Sequence, residues 1–203
     1  MAGPDASATD AALEAIDAAN SEDPNLVADP FGSPPGSMRP KELVHAERIS
    51  WWLSRLDPDA DDAQRLAARA HHFRRWTSPR SAYPEGRNGY LRWRTDTRRR
   101  HASEVDELLA GCGVDDPVRH DTAAIISKRS GAGDPRTQVH EDALCLVFFE
   151  LQGLSTASLL GDRTAEVVAK TLRKMSPAGR ALLAEATIDP AVRAVIADVD
   201  DEV

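Results

Sequence analysis

Four side chains in this sequence are of the types that share a metal ion: His45, the doublet His71-His72, and Asp142. Imidazole nitrogens with a carboxylate suit Mn²⁺, Fe, Co²⁺ or Zn²⁺, whereas Ca²⁺ takes oxygen ligands. An ion of that kind lowers the pKa of a water and polarises a phosphoryl oxygen. Each histidine alone reads more simply as a hydrogen-bonded core or surface residue, and only the set points to a site. Arginines crowd the same region. Positions 72–101 hold Arg74, Arg75, Arg80, Arg87, Arg92, Arg94, Arg98, Arg99 and Arg100 against Glu85 and Asp96, a local charge of +7 in a chain of net −8. Guanidiniums clamp phosphate bidentately. The other positions sum to −15 and repel a long polyanion. The expected ligand is therefore a small anion, such as a phosphate ester or nucleotide, rather than extended DNA.

Helices must position these groups. Residues 10–20 read as a short helix, and 21–40, rich in Pro, Ser and Gly, as an irregular arm. From Pro40 to Leu56 apolar residues recur at helical spacing, with His45 on the apolar stripe and Asp57-Pro58 as the stop. A second helix opens at Asp61-Asp62 and runs to Trp76, carrying His71 and His72 near its end. The basic helix, 87–110, places Tyr90, Arg94 and His101 on one face, and Gly86 and Gly89 let its start approach a ligand. Tyr90 and Trp93 are more often core residues than ligand contacts, and Arg98, Arg99 and Arg100 read as a solvated face.

After a helix over 115–129, the stretch 137–154 contains an apolar block from Ala143 to Phe149. Its neighbours all have helical period, so it reads as a buried helix with Glu141 and Asp142 at its mouth. Asp142 shares a face with Cys145 and Phe149 and points inward. A buried carboxylate needs a cation, a metal or a proton, unless the free N–H groups of a helix start receive it. Shorter helices follow over 163–175, 177–187 and 190–198. The expected architecture is a compact all-α, single-domain helical bundle: an N-terminal helix and arm over 1–37, the domain over 38–197, and an acidic tail over 198–203.

Hydrophobic residues make up 41% and charged residues 29% of the 203, a globular balance. No apolar run approaches the roughly 20 residues of a membrane helix. The N-terminus has neither basic start nor apolar block, and Cys112 and Cys145 make no disulfide framework, so a cytoplasmic location without a membrane partner is expected. No P-loop, dinucleotide fingerprint, zinc ribbon or nucleophile elbow occurs.

One histidine, then a histidine-led doublet, then an acid before the last core helix resembles the ligand order of the HD-domain phosphohydrolases. The departure is His72, where that pattern has aspartate. A longer resemblance, over 10–20 and 38–180, is carried by ARAHHFRRWTSPRSAYPEGRNGYLRWRTD, HEDALCLVFFE and KTLRKMSPAGR. These strings are similar to the uncharacterised family called domain of unknown function 4202. In that family pattern His72 is the shared histidine, while the positions of His71 and His45 usually hold other residues. The resemblance directs attention to His72, Arg74, Arg75, Arg87, Tyr90, Arg94, His101, Lys128, Glu141 and Asp142.

The leading expectation is a metal-dependent hydrolase of a phosphate ester. His72 and Asp142 hold the ion or act as acid and base, assisted by Glu141 and Lys128, while His45 and His71 complete the shell. Arg74, Arg75, Arg87 and Arg94, with Tyr90 and His101, receive the substrate. The alternatives are a non-catalytic nucleotide- or anion-binding regulator, an iron oxygenase on an HD-like scaffold, and a basic docking surface for an acidic protein or RNA.

Overall fold

The computed structural model describes residues 7–128, 133–153, 158 and 161–200. The fold is all-α apart from one small hairpin, and the chain forms two units, 1–47 with 61–131 and 48–60 with 132–203.

In the first unit, α1 (Ala8–Asn20) is capped by Ser7, whose hydroxyl accepts the Asp10 N–H, and buries Ala12, Ile16 and Ala19. The 21–40 arm is more ordered than its composition suggests. Strands β1 (Leu26–Asp29) and β2 (Ser37–Pro40) pair antiparallel, Leu26 opposite Pro40 and Asp29 opposite Ser37. The loop between them holds Pro30, Gly32, Ser33, Pro34, Pro35 and Gly36. Asp29 closes that loop by accepting the Phe31 N–H on its side chain and the Gly36 N–H on its carbonyl, and Gly36 adopts a φ of +81° that favours glycine.

Helix α2 (Lys41–Leu56) follows directly, and its residues up to Glu47 belong to the first unit. Helix α3 (Asp62–Ala70) begins with a capping box between Asp61 and Gln64. It ends at Ala70, six residues before the expected Trp76. Arg74 takes a left-handed conformation with its N–H on the Asn20 carboxamide at 3.3 Å, and the chain re-forms as a 3₁₀ turn over Arg75–Thr77. Phe73 thereby drops into the core formed by Ile16, Leu66, Ala70, Val105, Leu109 and Val114. The core's remaining helices are α4 (Gly86–Gly111) and α5 (Asp116–Ser127). Arg69 on α3 grips Asp17 on α1 through two bonds of 2.6 Å.

In the second unit, α6 (Pro135–Val147) runs on into a π turn, Phe148–Gln152, so the apolar block is helical as its surroundings imply. Helices α7 (Thr164–Leu172), α8 (Pro177–Ala181) and α9 (Pro190–Asp200) complete it, α7 packing on α9 and α6 on α8. The Glu150 side chain is fully buried there. Arg48 donates to it through two bonds of 2.6 and 2.7 Å, Trp52 Nε1 at 2.8 Å and the Thr187 N–H at 3.0 Å, and the Arg48 guanidinium lies 3.8 Å over the Trp51 ring. No described helix is long and apolar enough to cross a membrane.

Candidate metal centre

Helix α2 begins under constraint from the arm. The buried Asp23 carboxylate accepts the Glu42 N–H at 3.1 Å and both the backbone and side-chain N–H groups of Asn25, and so acts as a cap supplied from a distance. Arg39 on β2 ties Asp29 to Glu47 with bonds of 2.6 to 2.8 Å. The first turn of α2 is thus fixed, and Glu42 and His45, three residues apart, share one face. The break after Ala70 brings His72 to the same place.

Glu42 Oε2 lies 3.2 Å from His72 Nδ1 and 3.9 Å from His45 Nδ1. All three ligand atoms are within 4.8 Å of one another, the group among the described residues that can hold a metal ion. Tetrahedral ligands at about 2.0–2.2 Å from Zn²⁺ stand about 3.3 Å apart, so the spacing fits after a small contraction. None of the three buried atoms has a well-formed hydrogen-bond partner, and His72 Nδ1 stands within ion-pair distance of Glu42 Oε2. Burial pushes the Glu42 carboxyl up, but His72, His45 and Lys41 outweigh it and leave it below the ordinary range. Burial also drives His45, only 3% exposed, down to about 4, with His72 adding to the effect and Glu42 opposing it. A neutral imidazole is the form that ligates.

The basic helix supplies the surroundings. Trp93 Nε1 on α4 donates to the Ser78 carbonyl at 2.9 Å, and Arg100 bonds the Thr77 hydroxyl and the Arg74 carbonyl. The half-buried Arg75 guanidinium sits 5.0 Å over the Trp93 ring. It has no hydrogen-bond or carboxylate partner among the described residues, and burial lowers its pKa despite Glu42 and Tyr90 nearby. His101 is 4% exposed, and burial first, then His72, Arg100 and Arg75, bring it to about 3 against the pull of Glu42. Unmet buried atoms continue along this face of α4: Thr97 Oγ1, Arg100 Nε, His101 Nε2 and Glu104 Oε2. Thr97 and His101 are one helical turn apart.

The residues predicted from sequence divide accordingly. His45, His72, Arg75, Tyr90 and His101 come together in the first unit. His71 caps α3, its ring 4.7 Å from that of His72, but it is not one of the converging ligands. Arg74 leans toward Glu22 at 3.7 Å. Arg87 and Arg94 are exposed on α4, and Lys128 is exposed at the left-handed cap of α5. Gly89 serves packing instead of ligand approach, since a Cβ there would stand 1.8 Å from the Pro84 carbonyl oxygen.

Glu141 and Asp142 lie in the second unit. Because α6 starts at Pro135, they are well inside the helix rather than at its mouth. Glu141 approaches Lys174 at 3.7 Å. Asp142 is 1% exposed and accepts from Gln138 Nε2 at 3.0 Å, the Ser176 N–H at 2.8 Å and the Ser176 hydroxyl at 2.5 Å. Ser176 in turn caps α8. Sequence reasoning passed over Glu42. The signal was the spacing Glu42-x-x-His45, which stacks two ligand types on one helix face.

No curated protein and no solved structure matches this chain significantly. A family profile does match, over residues 10–196, and spans the whole of the candidate centre. The chain belongs to the family described as domain of unknown function DUF4202.

Proposed function

We propose that Glu42, His45 and His72 bind one divalent transition ion, Mn²⁺, Fe²⁺, Co²⁺ or Zn²⁺, and that the protein is a hydrolase of small phosphate esters, nucleotides included. The observation that carries this reading is the convergence of three ligand atoms within 4.8 Å, each buried and without a well-formed hydrogen-bond partner. Buried polar atoms cost about 1–3 kcal/mol apiece when unmet, so a missing partner is the economical explanation. An ion there supplies Lewis acidity and a water of lowered pKa. Glu42, anchored through its own N–H to Asp23, orients the site, and the basic surroundings favour an anionic substrate. Two histidines with one carboxylate are also the donor set of non-haem iron oxygenases, which makes oxygen chemistry the second reading.

The test is metal content by plasma mass spectrometry after purification without chelator, for wild type, Glu42→Gln, and His120→Ala as a control at an exposed site. About one ion per chain in wild type and control, lost in Glu42→Gln, supports the centre. No ion in any of them, even after incubation with each metal, overturns it. Phosphate release from a panel of esters then supports hydrolysis, whereas dioxygen uptake with ferrous iron and no phosphate release transfers the assignment to the oxygenase.

A further inference from the structure

The arrangement of charge around the centre specifies the ligand more narrowly. Arg75 is a half-buried cation with no carboxylate within ion-pair distance among the described residues, held over the Trp93 ring. Arg100 has Glu104 beside it, Nε to Oε1 at 3.6 Å, so that pair sums to zero. Lys41 and Asp23, both adjoining Glu42, also cancel. Glu42, Arg75 and, on the reading above, a divalent ion together carry two net positive charges in a largely buried place. Such a surplus is costly until a ligand of opposite charge compensates it.

We infer that the ligand is a doubly charged phosphate monoester, with Arg75 as its anchor, and that the site disfavours the singly charged diesters. Thr97 and His101 supply neutral hydrogen-bond partners through the unmet Oγ1 and Nε2 on one face of α4. A guanidinium with no carboxylate within ion-pair distance can present its planar fork to two phosphoryl oxygens. A diester offers one negative charge and leaves one positive charge uncompensated. This inference rests on the metal reading, and its test separates the two.

The experiment is calorimetric titration of the metal-loaded full chain in mildly alkaline buffer. The probes are phenylphosphonate, a dianion whose P–C bond resists hydrolysis, and its monomethyl ester, a monoanion. The proteins are wild type, Arg75→Gln, Arg75→Lys, and Arg92→Gln, whose side chain is 76% exposed. Metal content and helicity are measured for each. Wild type and Arg92→Gln should prefer the dianion by about tenfold or more, and Arg75→Gln should lose about 10–100-fold in dianion affinity while keeping its ion, the range for a hydrogen bond to a charged group. Arg75→Lys, which keeps the charge without the fork, should fall between. Equal affinity for the two probes in wild type overturns the proposal whatever the variants do. So does undiminished dianion binding by folded, metal-loaded Arg75→Gln. A wild type that takes up no ion overturns the metal reading and this inference with it, and is recognised by the metal assay alone.

Discussion

His45 and His101 are residues whose protonation the fold opposes. Both are buried imidazoles with folded-state values, about 4 and about 3, below the ordinary 6.5. The unfolded chain therefore binds their protons more tightly. The neutral forms support the fold fully above about pH 6.5, and that support drains away as pH falls toward 4 for His45 and 3 for His101, at about 1.4 kcal/mol for each pH unit crossed. Urea midpoints of the metal-free protein should accordingly fall steadily between pH 6.5 and 5. His101→Gln, which cannot titrate, should flatten that slope; an unchanged slope would show that His101 is not the buried neutral group described.

At the level of elements, acids that look available for chemistry hold helices in place. Asp142 receives the Ser176 N–H and hydroxyl at the start of α8, and a Cβ at Gly179 would come within 2.5 Å of its carboxyl carbon. Asp142→Ala should cost about 2–4 kcal/mol by stranding the Ser176 donors, and Gly179→Ala about 1–3 kcal/mol by steric conflict. Chemical denaturation of each variant checks both, and changes below about 0.5 kcal/mol, the range of ordinary surface substitutions, would rule out this contact. Glu150→Gln should cost more than either, about 3–5 kcal/mol, because it leaves the Arg48 guanidinium without its buried counter-ion. The strings HEDALCLVFFE and KTLRKMSPAGR make structural sense on these terms: each supplies one half of the Asp142 contact. Helix identities were legible from apolar spacing in 41–56 and from the acids Asp61 and Asp62 at the start of the next helix. The end of α3 was not legible, because the Arg74 reversal depends on an amide group contributed from 54 residues away.

For the whole molecule, metal and folding should be linked, since an ion that binds only the folded chain stabilises it. At a hundredfold excess over its dissociation constant the gain is about 2.7 kcal/mol, or about 5–10 °C in the melting temperature of a chain of this size. Scanning calorimetry with and without chelator measures it. A chelator that leaves the transition of metal-loaded protein unmoved would contradict the proposed centre. The charge distribution acts at this scale too. Nine arginines against two acids give 72–101 a charge of +7 in a chain of net −8, so on the proposed reading small anions should be drawn to that region.

The sequence by itself determined the helical class, because apolar periodicity is a local property that every window displays. It also determined which side chains had the chemistry for a site, with His45, His72, Arg75 and His101 visible as types. It could not determine the carboxylate that joins them. Asp142 and Glu42 are both acids near apolar stripes, and nothing local separates a ligand from a cap. Only the tertiary structure separates them: Asp142 accepts from Ser176 and Gln138, while Glu42 Oε2 lies buried beside two imidazoles in a group that could hold an ion. The reason is physical: whether a polar atom is satisfied depends on partners brought from distant positions, and that information exists only once the chain has folded.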